Sequence, residues 1–151
     1  MELILWRHAE AEAGEPDDER RLTGRGKRQA KRVAKWLARR LPQDFVVVAS
    51  PARRARQTAR ALGVEVATEA ALAVGADPAA LLRALGWPDA GERTVVAVGH
   101  QPTLGEAAAL AIAGRRAPLA IAKGGFVWLS SRRRDGRDEV RLRAAGSPRL
   151  L

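Results

Sequence analysis

Histidine occurs only twice in the chain, at His8 and His100, and each one stands a single residue beyond a short apolar run. Imidazole is a competent nucleophile at neutral pH because its unperturbed pKa is about 6.5. It works as one only when its other nitrogen is tied to a carbonyl or carboxylate that fixes the tautomer. Arg7 precedes the first histidine and Gly99 the second. A third apolar run, ending at Ala49, leads into Ser50-Pro51, with Arg53 and Arg54 one turn later. Histidine beside forked, permanently charged arginines suits phosphoryl transfer. The imidazole attacks phosphorus, and guanidinium groups hold the equatorial oxygens bidentately. A second histidine, protonated beside a phosphate, would add a cationic donor. Catalysis of this kind is positioning plus electrostatics.

Such a site requires elements that bring positions 8, 50–54 and 100 together. Leu3–Trp6, Phe45–Ala49 and Thr94–Val98 are short, continuous and mostly branched, the habit of strands buried on both faces of a parallel sheet. Helical spacing lies between them. Ala30, Val33, Ala34, Leu37 and Leu41 form one stripe, with Thr23 as the expected cap and Pro42 beyond the end. Ser50-Pro51 reads as the start of a second helix, serine capping and proline first, with Ala55, Ala59 and Leu62 on one face. That helix N-terminus would add partial positive charge to the site. Asp77-Pro78 repeats the start signal before Leu81, Leu82 and Leu85, and Pro102 opens a further helix carrying Leu104, Ala107, Ala108 and Ala111. Phe126–Ser130 and Glu139–Arg143 read as a closing pair of strands joined at Asp135-Gly136. Strand–helix alternation predicts an α/β fold, a three-layer α/β/α sandwich with a mostly parallel central sheet. If the strands are parallel, all three reactive junctions share the sheet edge where open α/β folds bind ligands.

The 151 residues, 46% hydrophobic and 29% charged, suit one domain spanning 1–151 and exclude a disordered tail or a disulfide mini-protein. With no cysteine and two histidines, neither a thiol nucleophile nor a metal site is expected. No cofactor is called for. The net charge of +10 makes an anionic partner plausible. It is spread along the chain rather than gathered in an arm, and only 4% of residues are aromatic, so nucleic acid is not the expected partner. No run approaches a membrane span and no address signal is recognisable, so a soluble cytoplasmic protein is expected; a monomer is the expected state. The basic run from Arg20 to Arg40 keeps its apolar stripe intact and reads as a solvated helix face; its alternative is a docking surface for an acidic phosphoprotein. Trp6, Trp36, Trp87 and Trp128 read as packing residues.

Four segments in order carry a resemblance: Arg7-His8-Ala9-Glu10-Ala11, Arg20 to Gly26, Ser50 to Ala59, and Val98-Gly99-His100-Gln101-Pro102. Together they resemble the histidine phosphatase (phosphoglycerate mutase-like) superfamily, and within it the small SixA-like phosphohistidine phosphatases. The resemblance implies that His8 is the nucleophile that becomes phosphorylated. It implies that Arg7 and Arg54 bind the phosphoryl group and that His100 stabilises it during transfer. Arg53 falls one position off the pattern. Ala9 stands where the wider superfamily often has glycine. The extended motif that surrounds a glutamate general acid in the mutase and sugar-phosphatase branches is missing around Glu69, which is assigned no acid role.

That gap bears on the substrate. Cleaving a P–O ester expels an alkoxide, which needs a proton donor. Cleaving a P–N bond to imidazole expels a better leaving group that solvent can protonate. Phosphohistidine on a signalling protein is therefore the expected substrate. The alternatives are a small phosphomonoester, which would need Glu69 or another acid, and a non-catalytic phospho- or nucleic-acid-binding module.

Overall fold

The computed structural model describes residues 1–151. In chain order the elements are β1 (Glu2–Arg7), α1 (Gly24–Ala38), β2 (Val46–Ala49), α2 (Arg53–Ala59), β3 (Val66–Thr68), α3 (Pro78–Ala84), β4 (Thr94–Gly99), α4 (Thr103–Ala113), β5 (Phe126–Arg134) and β6 (Arg137–Gly146). One sheet contains all six strands in the order β3-β2-β4-β1-β5-β6. The first four strands are mutually parallel, and β5 runs antiparallel to both β1 and β6. The α/β fold expected from strand–helix alternation is present.

Period-2 alternation divides the core into two layers. Ile4 and Trp6, Val96 and Val98, and Phe126 and Trp128 point to one face, where Val33, Leu37, Ala55 and Ala59 of α1 and α2 cover them. Leu3 and Leu5, Val95 and Ala97, and Val127 and Leu129 point to the other, under Leu81, Leu82, Leu104 and Ala108 of α3 and α4. Both faces of β1 and β4 are buried, so their sequences are continuous apolar runs rather than alternating ones. Trp6, Trp36 and Trp128 pack in or against the first layer and Trp87 against the second.

The helix caps follow local chemistry in two cases and depart from it in one. Thr23 caps α1, its hydroxyl accepting from Gly26 N–H at 2.9 Å, and Asp77 caps α3, accepting from Ala80 N–H at 2.8 Å. The expected start of α2 is corrected. The helix begins at Arg53, with Ala52 at the N-cap, not at Ser50-Pro51. Ser50 is buried and its hydroxyl faces His100, so it serves the sheet edge instead of capping the helix. Strand β3 has no counterpart among the expected elements. It is three residues long, half-buried at best and on the sheet edge, so it carries no apolar run. The closing hairpin is longer than expected at both ends, with a register shift between Trp128 and Leu129. No helix is long and apolar enough to cross a membrane.

Gly26 is a point of close approach. A β-carbon there would lie 1.9 Å from the Glu10 carbonyl oxygen, backbone against backbone. The first turn of α1 is thereby pressed onto the segment that follows His8. We expect Gly26→Ala to cost about 3 kcal/mol, at the upper end of ordinary overpacking. Gly24→Ala, whose β-carbon meets only the tip of Arg28, should be nearly neutral. Urea denaturation of the two variants checks this; equal stabilities would refute it.

Candidate active site

Strand register builds the site. Arg7 is paired with Gly99 across β1 and β4, so the next residues, His8 and His100, emerge side by side. His8 N–H continues the ladder to the Gly99 carbonyl at 3.0 Å, and Ser50 N–H does the same to the Val98 carbonyl at 2.9 Å. The two imidazoles, far apart in sequence, have ring centroids 5.1 Å apart. Arg54, in the first turn of α2, reaches between them.

The hydrogen bonds fix both tautomers. His8 Nδ1 lies 2.7 Å from the Ala9 carbonyl, which can only accept, so Nδ1 carries the proton. Nε2 is left with its lone pair, and the Arg54 Nε–H donates to it at 3.3 Å. Arg54 Nη2 also donates to His100 Nδ1 at 3.4 Å. His100 Nε2 then carries its proton and donates to the Ser50 hydroxyl at 2.8 Å. The remaining Arg54 donors go to Asp17, Nη1 to its carbonyl at 2.7 Å and Nη2 to its carboxylate at 2.9 Å.

Arg7 enters from the other side. Its Nη1 donates to the Ile121 carbonyl at 2.7 Å, while Nε is buried without an acceptor. Arg7 thus keeps a guanidinium N–H to offer an anion that enters the cavity. The segment carrying Ile121 and Lys123 is pinned over the end of β1. Trp6 Nε1 donates to the Gly124 carbonyl, Gly124 N–H to the His8 carbonyl and Arg7 N–H to the Gly125 carbonyl. Gly124 supplies a positive φ of 72° at that bend, a conformation costly for other residues.

These residues line a cavity of about 400 Å³. Arg7, Arg20, Arg54 and Lys123 bring four cations to it, and Asp17 is the single carboxylate. The balance of charge favours an anion, and no group of three His, Asp or Glu side chains is placed to hold a metal ion. Arg54 is 3% exposed. Arg53 points out of the site, 44% exposed, and its one ionic neighbour is Glu19 at 3.9 Å. Glu69 is not among the lining residues; its carboxylate accepts from the backbone N–H of Ala71 at 2.9 Å.

The electrostatics keep both histidines neutral. Burial is the main cause that lowers the His8 pKa to about 4, reinforced by Arg54, Arg7 and Arg20 and partly offset by the Ala9 carbonyl. Burial likewise lowers His100 to about 3, with the His8 and Arg54 charges adding to it. Asp17 lies below the usual carboxylate range because Arg54, and then Arg20, hydrogen-bond its charged form.

This has a consequence for stability. Each folded-state pKa lies below the unfolded value of about 6.5, so below that pH the unfolded chain binds more protons. Stability is therefore lost as pH falls from 6.5 toward 4, at up to about 1.4 kcal/mol per pH unit for each histidine. We expect on the order of 3 kcal/mol less stability at pH 5 than at pH 7. The loss should disappear in a His8→Gln/His100→Gln double variant. A wild-type protein equally stable at the two pH values would contradict this.

Comparison with known proteins identifies the family. Residues 3–74 match the model of the histidine phosphatase superfamily (branch 1). An uncharacterized protein of Picosynechococcus sp. is 34% identical over 141 residues, covering 87% of this chain and 86% of that protein. The structure of the protein histidine phosphatase SixA complexed with tungstate superposes with a TM-score of 0.82 at 22% identity, covering 98% of this chain and 97% of that one. The chain belongs to the histidine phosphatase superfamily. Within it the fold is SixA-like. A candidate phosphohistidine phosphatase SixA from Nakamurella multipartitia aligns with a TM-score of 0.77 at 29% identity, over 97% of this chain and 95% of that one. The resemblance carried by the four sequence segments is thus borne out at the level of family and fold, and the chain is a phosphatase of this superfamily.

The structure gathers His8, Arg7, Arg54 and His100 into one cavity, as the sequence reading expected of them. Sequence reasoning gives no role to Asp17, Arg20 or Lys123, and gives Ser50 none in the site. A signal for Asp17 was present: Asp17-Asp18-Glu19 is an acidic triplet just ahead of a strongly basic stretch. Ser50 was assigned to capping, a role with equal chemical appeal.

Proposed function

We propose that residues 1–151 form a single phosphohistidine phosphatase domain acting through a phospho-His8 intermediate. His8 Nε2 attacks phosphorus while the bond from phosphorus to the substrate imidazole nitrogen breaks, and solvent supplies a proton to the departing nitrogen. Water then cleaves the new P–N bond, returning neutral His8 and releasing phosphate. The Ala9 carbonyl holds the ring in the reactive tautomer throughout.

Arg54 Nε–H now rests on the His8 lone pair, so it must transfer to a phosphoryl oxygen as the substrate enters. In doing so it exchanges a long hydrogen bond to a neutral imidazole for one to an anionic oxygen. Arg7, with its spare Nε–H, is the second clamp. A phosphoryl dianion would draw a proton onto His100 Nδ1, opposing the burial that now keeps it neutral. Ser50 would hold the imidazolium in place from Nε2.

One observation carries the choice of substrate: no carboxylic acid stands ready to protonate an alkoxide. Asp17 is kept ionised by two arginines, and Glu69 is committed to a backbone N–H outside the cavity. A P–N bond to imidazole is the bond such a site can cleave. That a SixA structure carries a tungstate supports an oxyanion-binding pocket in this fold. Turnover of a phosphohistidine peptide, a phosphoserine peptide and p-nitrophenyl phosphate tests the reading. We expect kcat/KM for phosphohistidine to exceed that for phosphoserine by about 100-fold, the scale of contribution of the missing general acid. p-Nitrophenolate departs without a proton donor, so p-nitrophenyl phosphate should be turned over faster than phosphoserine. Phosphoserine hydrolysis faster than phosphohistidine hydrolysis would overturn the reading.

A further inference from the structure

Lysine occurs only at positions 27, 31, 35 and 123 in a chain whose other cations are all arginine. Lys123 lines the active-site cavity; the other three repeat every four residues along the exposed face of α1. That arrangement works against the helix. Lys27, Lys31 and Lys35 are like charges at i,i+4 spacing, as are Arg28 and Arg32, and each such pair destabilises a helix. Lys27 and Arg28 also crowd the N-terminal end, where the helix dipole favours acids; the first turn contains none, and Glu10, from outside the helix, pairs only Arg25, at 3.6 Å. Lys27, Lys31 and Lys35 form no ion pair, and neither does Arg60, which faces the helix from the turn after α2. Like charges that neighbour one another and that no acid of the chain pairs, Lys27, Lys31 and Arg60 among them, mark a surface kept for something outside the chain.

The conflict borders a groove. Between α1 and the turn after α2 lies a cavity of about 500 Å³, floored by Leu22, Ala30 and Ala61 and edged by Lys27, Lys31 and Arg60. The segments that line it also supply residues to the catalytic cavity. Leu22 lies two residues after Arg20, which lines that cavity, and Leu22 N–H donates to the side chain of Gln57, three residues after Arg54 on α2. A chain segment lying in the groove would leave an adjoining residue free to reach His8.

We propose that this groove docks an acidic, Asp/Glu-rich segment of the phosphorylated protein substrate, with Lys27, Lys31 and Arg60 supplying the complementary charge and the small apolar floor accepting its side chains. The docking rests on the phosphohistidine reading in that the occupant carries the group that His8 attacks. No aromatic side chain lines the groove, so it offers no stacking surface for nucleic-acid bases. A polypeptide is therefore the better fit.

Two measurements separate the docking from the reading it rests on. In the first, a fluorescent unphosphorylated peptide rich in glutamate is titrated against wild type and Lys27→Gln/Lys31→Gln/Arg60→Gln. Wild type should bind with an affinity that falls as salt is raised, and the variant should bind at least about tenfold more weakly. No binding by wild type, equal binding by the two proteins, or loss in the variant of DNA binding but not of peptide binding overturns the docking.

In the second, two phosphohistidine peptides of equal length, one flanked by glutamate and one by glutamine, are compared as substrates, with p-nitrophenyl phosphate as reference. Wild type should show a KM about tenfold lower for the glutamate peptide at unchanged kcat, and the variant should lose that difference while keeping its p-nitrophenyl phosphate activity. Equal KM values for the two peptides in wild type would sink the docking. If glutamate binding depends on the three cations but neither phosphohistidine peptide is hydrolysed, the docking stands and the substrate reading falls.

Discussion

His8→Ala should abolish turnover, lowering kcat by at least about 10⁴-fold, the scale on which removal of a nucleophile acts. It should also abolish the acid-labile phosphoryl label that wild type acquires when mixed with substrate and quenched. No other group can take over. His100 Nδ1 accepts from Arg54 and draws a proton once a phosphoryl dianion is bound, and its Nε2 is bonded to Ser50, so neither nitrogen is a nucleophile in the loaded site. Asp17 has an anionic oxygen in the cavity, but both arginines draw on it, which weakens it as a nucleophile. The variant should fold, because the removed ring faces a solvent-connected cavity rather than the packed layers, and because it discards a buried imidazole that resists protonation. A folded variant, judged by circular dichroism, that still labels would move the nucleophile elsewhere. A variant that no longer labels but still turns over would remove the covalent intermediate from the mechanism.

The route from sequence to this site was legible wherever a strand end fixed a position. Two residues at the ends of neighbouring parallel strands must meet if the register matches, and the Arg7–Gly99 pair supplies that match. Continuous apolar runs mark β1, β2 and β4 within a residue or two, because both faces of β1 and β4 are buried and β2 has one face buried and the other half-buried. Beyond the strand ends, periodicity had nothing to say. Asp17 reaches Arg54 from an exposed loop with a single short 3₁₀ turn, and the contact depends on the path of the whole segment between β1 and α1. Ser50 carries a double signal, since the same hydroxyl that suits a helix cap also suits an imidazole partner. Tertiary placement beside His100 decided in favour of the latter. The edge strand β3 pairs on one side only and buries little, so its three residues carry no pattern.

The choice between Arg53 and Arg54, open on residue types alone, leads to the second large effect. Arg54→Ala should lower kcat by about 10²–10³-fold, or about 3–4 kcal/mol of transition-state stabilisation, the loss typical of one preorganised donor aimed at developing charge. Arg53→Ala should cost less than about twofold, because an exposed arginine with one loose ionic contact contributes little. Arg54→Lys should recover only part of the activity. Ammonium restores the charge but cannot fork between the phosphoryl group and two imidazoles.

A merely structural role for Arg54 would predict the same loss with Lys and Ala, and no change in the pH profile. An electrostatic role predicts a shift of known sign. The Arg54 charge is one of the causes that hold both histidines below their ordinary values, so removing it should raise the pKa of His8. The acid limb of the kcat/KM profile in Arg54→Ala should then lie at higher pH than in wild type, and Arg54→Lys should return it toward the wild-type position. Asp17 adds a further check. Without Arg54 its carboxylate keeps only Arg20, so its loop should loosen and protease cleavage between residues 12 and 20 should accelerate. An acid limb that stays fixed, or a larger loss from Arg53→Ala than from Arg54→Ala, would refute the assignment of Arg54 as the phosphoryl clamp.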